Sequence, residues 1–141
     1  MPEFTFLGGQ VRKWSLPIVE GGSGPFEPKR LMLPQGELAW LYNADDGIRY
    51  IACLELRAGT VRGNHYHLRK EEWVYVIQGE LELLLQDRAT QARETVPLRT
   101  GDLAFIPTGV AHAMRAVQSG HAVEFSSSRF EPSDSYRFPV G

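Results

Sequence analysis

From Gly36 onward the chain is a succession of short β-forming runs broken by turn residues, and no window holds an apolar period of 3.6 residues for about three turns. Runs are read at 37–42, 48–56, 95–98, 103–106, 111–117 and 122–125, and 72–78 and 80–86 flank Gly79 as a hairpin. Asp46-Gly47 and Ala58-Gly59 bound the second of these runs, and turn signals at Gly101-Asp102, Pro107-Thr-Gly109 and Ser119-Gly120 recur at roughly 8–12-residue spacing. Helix is confined to a short piece near Asp87–Arg93 at most. Many short strands at even spacing predict an all-β protein, a sandwich or barrel of jelly-roll type in a single domain.

The 141 residues fit one domain with one core. Its expected parts are an N-terminal arm (1–28), a barrel (37–126) and a C-terminal arm (127–141). The Gly21–Pro25 stretch is the clearest flexible break. Residues 4–19 before it alternate weakly, as an edge strand lent to a neighbour would. The last stretch is polar yet carries Phe130, Tyr136 and Phe138, which predicts an ordered arm pinned to the barrel, over its mouth or across a dimer.

Charge and composition exclude several classes. A formal charge of −2 offers no basic footprint for nucleic acid. No apolar run approaches the roughly 20 residues of a membrane helix. The first residues lack the basic and apolar regions of a signal peptide, so the expected location is cytoplasmic. One cysteine cannot form an intrachain disulfide, and Cys53, between Ala52 and Leu54, reads as a buried apolar thiol.

Chemistry concentrates in residues 59–79. His65 and His67 are two apart, so in an extended strand they share a face and Tyr66 takes the other. Leu68-Arg-Lys70 is long enough to turn, and Glu72 begins the next run in step with Val74 and Val76. That parity brings Glu72 back beside the histidines and turns Glu71 away. Downstream, Pro107-Thr-Gly109 bends the chain and places His112 on a returning strand. Three imidazoles and one carboxylate suit a single divalent transition metal, and Mn, Fe, Co, Ni, Zn and Cu all accept that set.

These two segments resemble the cupin motifs. Gly59, His65, His67, Glu72 and Gly79 fill every position of the first, in the form with four residues between the second histidine and the glutamate. Gly101, Pro107, Gly109 and His112 match the second, whose final asparagine is replaced by Ala116. The resemblance implies a jelly-roll barrel, often a homodimer, with a metal held by His65, His67, Glu72 and His112 inside its mouth. A shorter stretch, Arg62-Gly63-Asn-His65, is similar to cupins that isomerise or epimerise keto-deoxysugars on nucleotides. There the first histidine usually serves as the base, often without metal.

The function this implies is proton transfer on a small carbonyl-containing metabolite, such as a keto-sugar or polyketide, with the metal as Lewis acid. The alternatives are an Fe-dependent dioxygenase and a non-catalytic cupin that binds a small ligand. Candidate catalytic residues are Glu55, in step with Ile51 and Cys53, and Arg62, placed to meet an anionic group. Met114 is read as apolar cavity wall, Arg115 as exterior and His121 as solvated; Trp40, Trp73 and Tyr75 are read as packing or dimer surface.

Overall fold

The computed structural model describes residues 2–22 and 24–141; Ser23, within the predicted break, lies outside them. Two long strands organise everything else: β8 (Glu72–Gln86) and β11 (Ala111–Ser126). They pair antiparallel along their lengths, from Ala111 opposite Gln86 to Phe125 opposite Trp73. At one end β8 pairs with β10 (Asp102–Ile106) and β11 with β6 (Tyr50–Leu56). At the other end β8 pairs with β9 (Arg93–Arg99) and β11 with β7 (Val61–Tyr66). The outcome is an all-β jelly roll, as predicted. No helix among the described residues is long and apolar enough to cross a membrane.

The predicted hairpin at Gly79 does not form; β8 continues through it without reversing. The predicted turn at Ser119-Gly120 is likewise interior to β11. Gly79 has φ +108, and a Cβ there would meet the Gln118 carbonyl oxygen at 2.8 Å. Gly120 abuts the Gln78 carbonyl in return. Register shifts between Ala116 and Ala122 mark the same place. The glycines therefore form a corner where both strands bend together and the sheet rolls into a barrel. Inward parity changes with it, from Glu72, Val74 and Val76 to Leu81, Leu83 and Leu85, all buried.

The apolar ones among them form the interior core with Leu54, Leu56, Val96, Leu98, Ala104, Ile106 and Met114. A second cluster covers the outside of the sheet, where Trp73 stacks between Trp14 (5.7 Å) and Phe125 (6.0 Å) and buried Tyr75 joins Leu16 and Leu103. Ala39, Leu41 and Tyr42, at the end of β5 (Gly36–Trp40) and just beyond, pack on it. β5 belongs to a small sheet with β4 (Lys29–Leu33) and β3 (Ile18–Glu20).

Three further expectations are corrected. Residues read as an arm lent to a neighbour make β1 (Glu3–Phe6) and β2 (Val11–Ser15), and β2 pairs with β10 of its own chain. Cys53 is exposed, because it shares the outward parity of Ile51 and Glu55 while Leu54 and Leu56 point in. Residues 87–92 form a turn rather than helix, with the Asp87 carboxylate accepting the amides of Ala89 and Thr90. The C-terminal stretch is ordered: a 3₁₀ turn (Pro132–Asp134) leads into β12 (Tyr136–Arg137), which pairs with β7.

Candidate metal centre

Glu72 opens β8 with its side chain turned inward by the same parity that buries Val74 and Val76. His65 lies near the end of β7 and His67 just beyond it. Glycine at position 63 lets β7 approach β11: it has φ +94, and a Cβ there would stand 3.1 Å from the His112 carbonyl oxygen. That approach makes His65 and His112 cross-strand partners. The turn before β11 is tied to the first segment directly, since Gly109 N–H donates to the His67 carbonyl at 2.6 Å.

The structure brings His65, His67, Glu72 and His112 together, one potential ligand atom from each lying within 4.8 Å of the others. His67, Glu72 and His112 are buried and His65 is partly open. The protonation of two rings follows from their partners. His67 Nδ1 stands 2.9 Å from the Asp134 carbonyl and His112 Nδ1 3.0 Å from the Val110 carbonyl. A carbonyl oxygen only accepts, so both Nδ1 atoms carry hydrogen and a neutral ring presents a lone pair at Nε2.

Those Nε2 atoms meet Glu72, at 3.3 Å from Oε1 for His67 and 3.2 Å from Oε2 for His112. Lone pair then faces lone pair, and His67 Nε2, His112 Nε2 and Glu72 Oε2 have no hydrogen-bond partner although buried. Leaving such groups unsatisfied is costly, so the arrangement calls for a proton or a cation among them. Four nitrogen and oxygen donors of this kind fit a divalent transition metal, with carbonyl-anchored imidazoles behind them.

A proton is the other way to relieve this facing, and the electrostatics favour one between His112 and Glu72. Burial pushes the Glu72 carboxyl up, yet His112, His67 and Lys70 together hold it well below the usual range. Burial opposes a charge on His112, but Glu72 and the Val110 carbonyl leave its proton held more tightly than usual. His65 goes the other way: burial, then the neighbouring His112 and His67, lower it to about 4, so the ring is neutral at neutral pH.

Three further polar groups adjoin the cluster and escaped the sequence reading. Lys70, buried, donates to Glu72 Oε1 at 2.8 Å and lies 4.5 Å from the Tyr50 ring centre. The Tyr50 hydroxyl donates to Glu124 Oε1 at 2.8 Å. Burial first, then the Glu72 charge, raise the Glu124 carboxyl above its ordinary value. Tyr50 is raised as well, by burial and its bond to Glu124. Parity carried a signal for Glu124, which is in step with His112 and Met114. Nothing local separates Lys70 from an ordinary loop lysine.

The two candidate catalytic residues stand elsewhere. Glu55 is exposed on the outer face of β6 and pairs with Arg57 at 3.1 Å. Arg62 is exposed and donates to the Glu55 carbonyl at 2.8 Å. Arg115 and His121 are exposed, and Met114 is buried in the barrel interior. Glu71 faces away from the cluster and accepts the Ser127 amide at 2.8 Å. Two apolar surface grooves, of about 360 and 340 Å³, lie on the outer face around Phe26, Leu41 and Tyr42.

Residues 53–127 match the cupin domain family. Over 62 residues the chain is 39% identical to the polyketide synthase CurC of Streptomyces cyaneus, an alignment covering 44% of this chain and 36% of that protein. Over 68 residues it is 29% identical to the oxalate decarboxylase OxdC of Bacillus subtilis, covering 48% and 17%. The chain thus spans well under two thirds of either relative. Among solved structures, the dTDP-6-deoxy-D-glucose-3,5-epimerase RmlC of Legionella pneumophila superposes with a TM-score of 0.75 at 15% identity, over 96% of this chain and 76% of that one. The TDP-quinovose 3,4-ketoisomerase WlaRB of Campylobacter jejuni does so with 0.72 at 16% identity, over 90% and 92%. At such identities these two likenesses establish the fold.

Proposed function

The chain belongs to the cupin family, and from that premise we propose that it is an enzyme of non-redox proton transfer, an isomerase, epimerase or cyclase, acting on a small carbonyl-containing metabolite. In this reading His65, His67, Glu72 and His112 hold one divalent transition metal. The observation that carries it is the facing of buried lone pairs, His67 and His112 Nε2 against Glu72, which one shared cation relieves. Bound there, the cation would polarise a carbonyl or enolate oxygen and ease loss of the adjacent proton.

The residues around the site support the rest. Lys70 keeps Glu72 ionised and oriented through its 2.8 Å bond. Glu124, raised above its ordinary value towards neutral pH, suits taking up and returning a proton, and the Tyr50 hydroxyl orients it. The named activities of the structural neighbours favour a keto-sugar, and that of the Streptomyces relative a polyketide. The protein acts in the cytoplasm as a homodimer, for which exposed Ile51 and Ile77 on the outer face offer apolar surface.

A metal-free variant has one observation in its favour: His65 is the most accessible of the three clustered rings and, lowered to about 4, is a free base at neutral pH. Elemental analysis of the purified protein separates the two. Solvent deuterium should then enter a nucleotide-linked keto-deoxysugar next to its carbonyl, followed by NMR, and chelation should stop it. Exchange that survives chelation favours the His65 reading, and substrate-triggered oxygen uptake with bound iron would replace both by a dioxygenase.

A further inference from the structure

The C-terminal segment follows the ligand-bearing segment almost residue by residue. At its start Ser127 N–H donates to Glu71, and at its end Val140 and Gly141 N–H donate to the Asn64 side chain at 2.7 and 2.9 Å. Phe138 N–H donates to the Asn64 carbonyl at 2.8 Å, and Tyr136 and Arg137 pair in β12 with Tyr66 and His65. Between these anchors lie the contacts that bear on the site. The Asp134 carbonyl accepts His67 Nδ1–H, and its buried carboxylate accepts the amides of Leu68 (3.0 Å) and Arg69 (3.1 Å). The Ser135 hydroxyl stands 3.4 Å from His65 Nδ1.

From this we infer that residues 127–141 are a working part of the metal centre, with Asp134 and Ser135 as positioning residues for His67 and His65. The inference rests on the metal reading above. An imidazole swings about two side-chain bonds and has two tautomers, and a fixed acceptor at Nδ1 removes both freedoms. The Asp134 carboxylate grips the backbone just after His67, so one residue holds both the ring and the chain that carries it. Because binding and docking share these contacts, each strengthens the other by the same factor.

The test uses the full chain stripped by chelation. Wild type, Asp134→Ala, Asp134→Asn and Ser135→Ala are titrated calorimetrically with Mn²⁺, Co²⁺, Ni²⁺ and Zn²⁺, and the Co²⁺ absorption spectrum is recorded. Asp134→Ala should lose about 10–100-fold in affinity and change the Co²⁺ spectrum. Asp134→Asn keeps an acceptor for the Leu68 and Arg69 amides and should recover most of the loss. Ser135→Ala should lose less, matching its longer contact. In wild type, metal should slow tryptic cleavage at Arg129 and Arg137, both exposed at opposite ends of the contacts. Wild-type affinity and spectrum in folded Asp134→Ala and Ser135→Ala, or cleavage unaffected by metal, would overturn the inference alone. Wild type that takes up none of the four ions would overturn the metal reading and this inference with it.

Discussion

His65 and His112 lie directly across from each other on β7 and β11, their rings 4.9 Å apart, at the register shift that the close approach of Gly63 permits. A strand-to-strand pairing between distant parts of the sequence thus brings the two ligand-bearing segments together. With four donors converging, loss of any one should be felt at the whole site.

His65→Ala, His67→Ala and His112→Ala should each cost more metal affinity than the roughly 10–100-fold expected from losing a supporting hydrogen bond. His121→Ala, exposed on β11, should leave occupancy unchanged. Elemental analysis after gel filtration reads the outcome, and equal occupancy in all four variants would remove the metal from the account.

Glu72→Gln and Glu71→Gln should separate sharply. The first removes a donor and strands Lys70 without its buried anion, which costs about 3–5 kcal/mol in the stripped protein as well as metal. The second keeps an oxygen to accept the Ser127 amide, lies outside the cluster, and should leave metal affinity within a few-fold of wild type. Urea denaturation and calorimetric titration measure the two effects, and comparable metal loss in both variants would contradict the geometry.

Gly79→Ala should destabilise the protein by about 1–3 kcal/mol or more, since alanine must adopt φ +108 and also meet the Gln118 carbonyl. A solvent-exposed loop glycine would show almost none of this. Denaturant midpoints at constant slope are the readout, and a neutral result would mean the corner tolerates a side chain.

The pair Arg30–Glu37, two parallel bonds of 2.9 and 3.0 Å joining β4 to β5, should leave a small acid signature. Arg30 holds the Glu37 carboxyl below its ordinary 4.5. A lowered carboxyl contributes stability above the unfolded value of about 4.5 and loses it as pH falls through the folded one. Glu37→Gln should therefore be less stable at pH 7 by under about 1 kcal/mol, the group being partly exposed, and equal to wild type well below pH 4. A difference that grows towards acid would reverse the sign and refute the pairing.

Local pattern determined the strand runs, the all-β class and the four converging donors, because alternation in an extended chain decides which side chains share a face over a few residues. Glu72 over Glu71 is the clearest example. Gly79 and Gly120 looked like chain reversals because a glycine that ends a strand and one that bends it read alike; only the pairing of β8 with β11 tells them apart. Lys70 and Asp134 were silent for a related reason. A loop lysine and a serine-flanked aspartate become parts of a centre only when closure of the barrel excludes water around Glu72 and lays the last residues along His65–Arg69. Spacing along the chain chose the donors; the tertiary structure alone chose what stands behind them, since burial and long-range hydrogen bonds exist only once distant segments have met.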